Sequence, residues 1–107
     1  MITNEAASQS LVDVSAAIGA NIDAAVAARA GLRLTGYSIR ESDGTPAVAA
    51  VEIVNGATGA WGTSIAQIEL AASTSETVWF GDSGIDCSYG ISLNWTTGTV
   101  DINFFYK

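Results

Sequence analysis

The sequence predicts an all-β protein, a single antiparallel β-sandwich resembling a jelly roll, with about seven to eight strands. Short alternations of apolar and polar residues recur along most of the chain. Clusters of Gly, Ser, Asn and Asp separate them at intervals of roughly ten residues, which is typical of sandwiches. The length of 107 residues suits one domain with one core.

The last third of the chain has the clearest strand pattern. Every second residue is large and apolar in two runs: Ile91, Leu93 and Trp95, then Val100, Ile102, Phe104 and Tyr106. Such alternation gives each strand one buried and one exposed face. Between the runs, Gly98 falls where a hairpin turn needs a residue at positive φ. The sequence therefore predicts that these two strands pair as a hairpin.

The middle of the chain predicts further strands and two interruptions. The alternation that begins at Leu32 changes phase at Gly36, which indicates a β-bulge. Asn55-Gly56, with Gly59 and Gly62 soon after, predicts a loop. Around this loop, two runs have inward-facing alternations: Ala49, Val51 and Ile53, then Ala66, Ile68 and Leu70.

The N-terminus predicts an arm, within which Leu11, Val12 and Val14 could make a short strand. Residues 1–10 are small, polar and aperiodic, so the expected division is an arm at 1–20 and a sandwich at 21–107. Thr3 and Asn4 are candidate contact residues in this arm. Residues 15–30 allow two interpretations, a helix capped by Ser15 or an extended chain leading into a strand. Few large apolar residues and Gly19 favour the extended form.

Charge and cysteine content exclude several classes of function. Four basic residues against eleven acidic ones give a net charge of −7, which repels phosphate backbones and anionic lipids. We expect no nucleic-acid or membrane partner. Cys87 is the single cysteine, so no internal disulfide is possible. With no signal-peptide pattern at the N-terminus, we expect synthesis in the cytoplasm.

No catalytic constellation is apparent, and no cofactor is expected. Gly81-Asp82-Ser83-Gly84 matches the sequence around the nucleophile of chymotrypsin-like proteases, but the chain contains no histidine to act as the base. We interpret this motif as a surface turn. Cys87 also lacks a histidine partner and lies between Ile85 and Tyr89 in an apolar alternation, which predicts a small core residue. A non-enzymatic protein is the expectation.

A calcium site is a weaker alternative for the acidic loop residues. Asp82 and Asp86, with Asp43 or Glu41 as possible neighbours, could supply oxygen ligands. Their spacing does not match an EF-hand loop. Solvated loop acids are the simpler interpretation.

Several residues are candidates for contacts with other molecules. Arg29, Arg33 and Arg40 could pair with an acidic partner or with carboxylates of this chain. Trp61, in the glycine-rich loop, could stack against a sugar ring, whereas Trp95 belongs to the apolar face of its strand. Phe105 falls on the polar side of the last strand, as expected for a subunit contact.

The order of landmarks over about residues 32–106 resembles small β-sandwich virion proteins of tailed bacteriophages, of the capsid decoration (cement) or head-fibre type. The landmarks are Gly36-Tyr37-Ser38-Ile39-Arg40-Glu41-Ser42, Val54-Asn55-Gly56, Leu70, Trp79-Phe80-Gly81, Gly84-Ile85, Gly90-Ile91 and Gly98-Thr99-Val100. The resemblance implies a structural protein located in the virion. It also implies a homotrimer that binds the major capsid protein or another virion protein. A carbohydrate-binding module on a virion or tail fibre is the alternative.

Overall fold

A computed structural model describes residues 7–14, 21–58 and 61–107, and all of its regular elements are strands. In chain order they are β1 Ala7–Val14, β2 Asn21–Val26, β3 Arg33–Glu41, β4 Ala49–Thr58, β5 Trp61–Leu70, β6 Ser75–Trp79, β7 Ile85–Asp86, β8 Ile91–Thr97 and β9 Val100–Tyr106.

The strands form two antiparallel sheets with the order of a jelly roll. The first sheet has the order β1-β9-β3-β6, and the two-residue strand β7 also pairs with β3. The second sheet has the order β2-β8-β4-β5. Eight longer strands are therefore divided equally between two sheets, as in other jelly rolls, and the chain repeatedly passes from one sheet to the other. The predicted fold class is confirmed.

One apolar core lies between the sheets. Each sheet turns alternate side chains inward, and the largest fully buried ones include Leu34, Ile39 and Phe104 from the first sheet and Ile53 and Leu93 from the second. Burying each such side chain stabilises the fold by about 1.5–3 kcal/mol. The inward-facing alternations predicted for β4 and β5 are confirmed, with Ala66 only partly buried.

The predicted hairpin between the last two strands is wrong. Strand β8 pairs with β2 and β4 in the second sheet, whereas β9 pairs with β1 and β3 in the first. Gly98 does have positive φ, at 82°, but it serves a crossing between the sheets. It also lies so close to Ala49 that an added Cβ would be 2.6 Å from the Ala49 Cα atom. Trp95 Nε1 donates to the Gly98 carbonyl oxygen at 2.8 Å and fixes this crossing.

The predicted bulge near Gly36 is confirmed. The register between β3 and β9 shifts between Leu34 and Gly36, so that Thr35 is the extra residue. Thr35 is only 1% exposed, and its Oγ1 has no hydrogen-bond partner. Its backbone carbonyl accepts a 2.7 Å bond from the Phe80 N–H. The bulge reverses the phase of β3, and Tyr37 therefore points into the core.

The N-terminal expectations need correction. Residues 7–14 form β1, which pairs with β9 from Ala7↔Tyr106 to Val14↔Val100, so they belong to the sheet and not to an arm. Backbone hydrogen bonds of an edge strand do not require apolar side chains, and the polar composition therefore misled the prediction. Residues 1–6 and 15–20, including Thr3 and Asn4, lie outside the described residues. Strand β2 shows that the extended alternative holds for residues 21–26.

The predicted loop at Asn55-Gly56 is also wrong, because both residues lie within β4 and are buried. The Asn55 side chain accepts a bond from the Tyr89 N–H at 3.1 Å. The Gly56 N–H donates to the Gly90 carbonyl at 3.0 Å. These bonds satisfy polar groups that a loop would have exposed to water.

Replacing Gly98 by Ala tests the crossing between the sheets. A Cβ at positive φ costs about 1–2 kcal/mol, and the contact with Ala49 adds to this. We expect urea unfolding to show at least that loss for Gly98→Ala. Gly44→Ala is the matched control, since nothing lies within 4 Å of its added Cβ. Equal unfolding midpoints for the two variants would contradict the close approach of Gly98 to Ala49 at the crossing between the sheets.

Deleting residues 1–10 tests the place of β1 in the sheet. The deletion removes the backbone pairing of Ala7 to Ser10 with β9, so we expect a lower melting temperature. A loss of 1 kcal/mol lowers the melting temperature of a domain this small by about 4–8 °C. Deletion of residues 1–6 is the control because it leaves β1 intact. If both truncated proteins had the same melting temperature, residues 7–10 would not contribute to the sheet, and the interpretation of these residues as an arm would be correct.

Candidate functional site

A row of two aromatic residues crosses the outward face of the first sheet. Gly36 pairs with Phe105 on one side and with Trp79 on the other, so the two aromatics flank the glycine in one row. They face outward because their neighbours Phe104 and Val78 pack in the core or against it. Trp79 is 60% exposed and Phe105 is partly buried. We call Trp79, Gly36 and Phe105 the aromatic row.

Gly36 gives the Trp79 ring its place on the sheet. A Cβ on Gly36 would lie 3.3 Å from the Trp79 Cε3 atom and would collide with the Val78 carbonyl oxygen. The indole therefore leans over the glycine, towards the neighbouring strand that carries Phe105. Adjacent strands are about 4.8 Å apart, which places the two aromatic residues about 10 Å apart across the row.

Among the described residues, polar side chains and one ion pair lie beyond the aromatic row on this face. The Ser38 and Thr77 hydroxyls are 3.1 Å apart, in the next row along the strands. Beyond them, Arg40 forms a salt bridge with Asp101, with a 2.8 Å distance between Arg40 Nη2 and Asp101 Oδ2. An exposed pair of this kind contributes about 0–1 kcal/mol to stability. The aromatic row is thus the apolar part of the face.

The outward face of the second sheet differs in being acidic. Glu52, Gln67, Glu69 and Asn94 line a shallow groove there. A hydrogen bond from Ser64 is the largest cause that lowers the pKa of Glu52, and Gln67 and Asn94 act in the same direction, while burial opposes them. The Glu52 carboxylate thus stays ionised at a lower pH than an ordinary glutamate, and the stability it contributes is lost as pH falls from the ordinary glutamate pKa through the lowered one.

The three arginines do not form one basic surface. Arg33 and Arg40 lie at opposite ends of β3, roughly 23 Å apart along the strand. Arg40 pairs with a carboxylate of this chain, and Arg33 Nε donates to the Ser83 carbonyl oxygen at 2.5 Å. Arg29 is exposed, and its backbone N–H donates to Ser88 O at 3.1 Å. Of the two alternatives for these residues, pairing within the chain holds for Arg40.

The acidic residues considered for calcium also lie apart. The backbone of Asp86 pairs with that of Arg33 at the start of β3, where β7 joins the sheet. Glu41 lies at the other end of β3. The Glu41 carboxylate accepts bonds from the Asp43 and Ser73 N–H groups at 2.7 and 2.8 Å, which ties two loops together. Within the described ranges no group of three potential ligands could hold a metal ion. Glu41, Asp43 and Asp86 have hydrogen-bond partners within the chain, and Asp82 is exposed at a turn.

Gly81 to Gly84 forms a surface turn, as predicted. The Gly84 N–H donates to the Gly81 carbonyl oxygen at 3.1 Å, and Asp82 and Ser83 at the tip are exposed. Gly84 has φ of 65° and lies close to the Leu34 carbonyl, which explains the second glycine. The serine therefore lies in a turn that packs against the first residues of β3.

A shallow concavity lies at the end of the sandwich where β4 and β5 meet the loop after β7. Its volume is about 390 Å³, and small residues form much of its lining: Ala28, Gly56, Ala57 and Gly62. Tyr89 also lines it and is 70% exposed. Asn55 and Thr63 add an amide and a hydroxyl. We call this feature the Tyr89 concavity.

Sequence reasoning missed Trp79 and misplaced Tyr89. Alternation within β6, with Val78 inward and Thr77 outward, was enough to place Trp79 outward. The alternation of Ile85, Cys87 and Tyr89 suggested a buried tyrosine, but β7 ends at Asp86 and the chain turns at residues 88–89. A turn does not alternate its side chains between two faces as a strand does, so the expectation of a buried Tyr89 failed.

The other predicted contact residues have mixed outcomes. Phe105 lies on the outward face, as predicted, while its role in a subunit contact stays a prediction. Trp61 begins β5 and pairs with Thr58, so its backbone is in a strand and not in a loop, and its side chain lies outside the described residues. Trp95 packs against the core as predicted.

Comparison with known proteins gives no relative. No family model, no curated protein and no solved structure matches the chain. In the described ranges there is no helix that could cross a lipid bilayer. Function must therefore be argued from the surfaces described above.

Cys87 should be inert towards thiol reagents while the protein is folded. It is fully buried, and burial raises the pKa of its thiol to about 11. The neutral thiol fits the core, so its contribution to stability is lost as pH rises from the ordinary thiol pKa through that value. We expect 5,5′-dithiobis(2-nitrobenzoate) to react at pH 8 only in denaturant. Rapid reaction of the native protein would contradict this burial.

Proposed function

We propose that this chain is a non-enzymatic structural protein of a tailed-bacteriophage virion, a decoration protein that binds the assembled capsid shell and stabilises it. The order of sequence landmarks supports this role, and so does the fold, since jelly rolls are common in viral capsid proteins. Fold analogy alone does not determine function, because lectin domains share the same architecture. The proposal therefore depends on a surface of this protein.

The aromatic row is the observation that carries the proposal. Trp and Phe are enriched where proteins contact each other, and a few buried aromatic residues often supply most of the binding energy. Trp79 is 60% exposed and lies in one row with a second, partly buried aromatic residue. A protein surface that covers Trp79 and Phe105 would remove both from water.

The partner we propose is the major capsid protein or another virion protein. A homotrimer on the shell would place three aromatic rows around one axis, each facing either the shell or a neighbouring copy. The row spans three adjacent hydrogen-bonded strands, β9, β3 and the edge strand β6, near one end of the first sheet. Binding would therefore need little ordering of the backbone, which limits its entropy cost.

Cosedimentation with capsid shells that lack the protein tests this function. We expect the wild-type chain to be retained, and Trp79→Ala or Phe105→Asp to reduce retention by at least about tenfold, which corresponds to 1.4 kcal/mol. Thr77→Ala is the matched control, since it lies on the same face of the same strand as Trp79. Far-UV circular dichroism would confirm that each variant is folded.

Two results would contradict the proposal. Wild-type protein that does not sediment with any shell would reject the decoration role. Equal retention of wild type and both aromatic variants would move the contact away from the aromatic row. Light scattering on free protein would test the trimer separately, and Phe105→Asp should weaken it if the row joins the copies.

A further inference from the structure

We propose that the Tyr89 concavity binds one uncharged sugar ring, such as a hexose or an N-acetylhexosamine at the end of a glycan. This site goes beyond the virion role and does not depend on it. It lies apart from the aromatic row, on the edge between the second sheet and the loop after β7.

The shape of the concavity suits a single ring. Its volume of about 390 Å³ lies within the range of about 300–1,000 Å³ that is usual for small-molecule sites. The small side chains of Ala28 and Ala57 and the glycines at 56 and 62 leave this space open. Gly62 has φ of 133°, and a Cβ there would collide with the Asn55 carbonyl. Position 62 therefore requires glycine, and no side chain extends from it into the concavity.

Tyr89 supplies an aromatic wall on a fixed backbone. Its N–H donates to Asn55 Oδ1 at 3.1 Å, and the following Gly90 N–H donates to the Cys87 carbonyl at 2.8 Å. The ring itself is 70% exposed. One face of a sugar ring presents C–H groups, which pack favourably against the electron-rich face of an aromatic ring. Because the backbone of Tyr89 is already fixed, binding a ligand needs only the side chain to be ordered, which limits the entropy cost.

The polar groups around the concavity favour a neutral ligand with hydroxyl groups. Among the described residues that line it, none is charged, although the chain as a whole carries −7. Asn55 and Thr63 supply an amide and a hydroxyl that can exchange hydrogen bonds with sugar hydroxyls. An apolar side chain from a protein partner that buried the Thr63 hydroxyl would leave it without a partner, at a cost of about 1–3 kcal/mol.

Nuclear magnetic resonance of the ¹⁵N-labelled protein tests the site directly. The probes are D-glucose, D-galactose and N-acetyl-D-glucosamine, each titrated to tens of millimolar. We expect at least one sugar to cause saturable shifts of the amide signals of Gly56, Ala57, Gly62 and Tyr89. Removing the stacking ring in Tyr89→Ala should weaken binding about tenfold, whereas Tyr89→Phe, which keeps the ring, should bind within about threefold of wild type.

Two further variants keep the test informative. Ala57→Leu should abolish the shifts by filling the concavity, while Val48→Ala, at an exposed residue outside the concavity, should bind like wild type. The proposal is overturned if none of the three sugars gives saturable shifts or if Tyr89→Ala binds as well as wild type. Shifts caused only by a proline-rich peptide would overturn it in favour of a protein partner. Unchanged retention of Tyr89→Ala on capsid shells would show that this site and the virion role are separate.

Discussion

The pairing of β9 with both β1 and β3 is the constraint on which the rest of the structure depends. This strand lies between the first strand and the third, and Ala7 pairs with Tyr106 near the opposite end of the chain. Its inward residues Val100, Ile102 and Phe104 are almost completely buried. The first sheet therefore cannot close before the C-terminus arrives. Contacts this distant in sequence carry a large loop-closure entropy, which is typical of slowly folding β-sandwiches.

The position of β9 also explains why the sequence predicted the strands correctly but their pairing wrongly. Strands β8 and β9 face the same core from opposite sheets, so each shows the apolar alternation that a hairpin would show. Gly98 has positive φ in either arrangement, and the turn signal could not separate them. What decides the arrangement is the close approach of Gly98 to Ala49, and this contact is between residues far apart in sequence. Periodicity describes which face of a strand is buried, not which strand lies beside it.

The surfaces were predictable only where a regular strand carried them. Phe105 could be placed outward because β9 keeps its period of two to the end. The Tyr89 concavity could not be predicted, because its glycines indicated a loop while the structure places them in β4 and β5. Hydrogen bonds from a nearby segment of the same chain, such as the bond from the Tyr89 N–H to Asn55, hold these residues in strands against their local preference. Tertiary contacts of this kind leave no signal in a single sequence.

The bulge at Thr35 links the core to the proposed contact surface. Leu32 and Leu34 point inward, and without an extra residue the same phase would turn Gly36 inward and Tyr37 outward. With Thr35 inserted, Tyr37 and Ile39 enter the core, and Gly36 moves to the outward face beneath Trp79 and next to Phe105.

The insertion also leaves the Thr35 hydroxyl buried without a partner, a cost of about 1–3 kcal/mol. Bulges commonly redirect side chains beside functional sites, and local rules are most often broken where function competes with stability. This cost occurs at the residue that sets the outward phase of Gly36. The bulge thus couples an unpaired hydroxyl in the core to the surface on which the proposed contact depends.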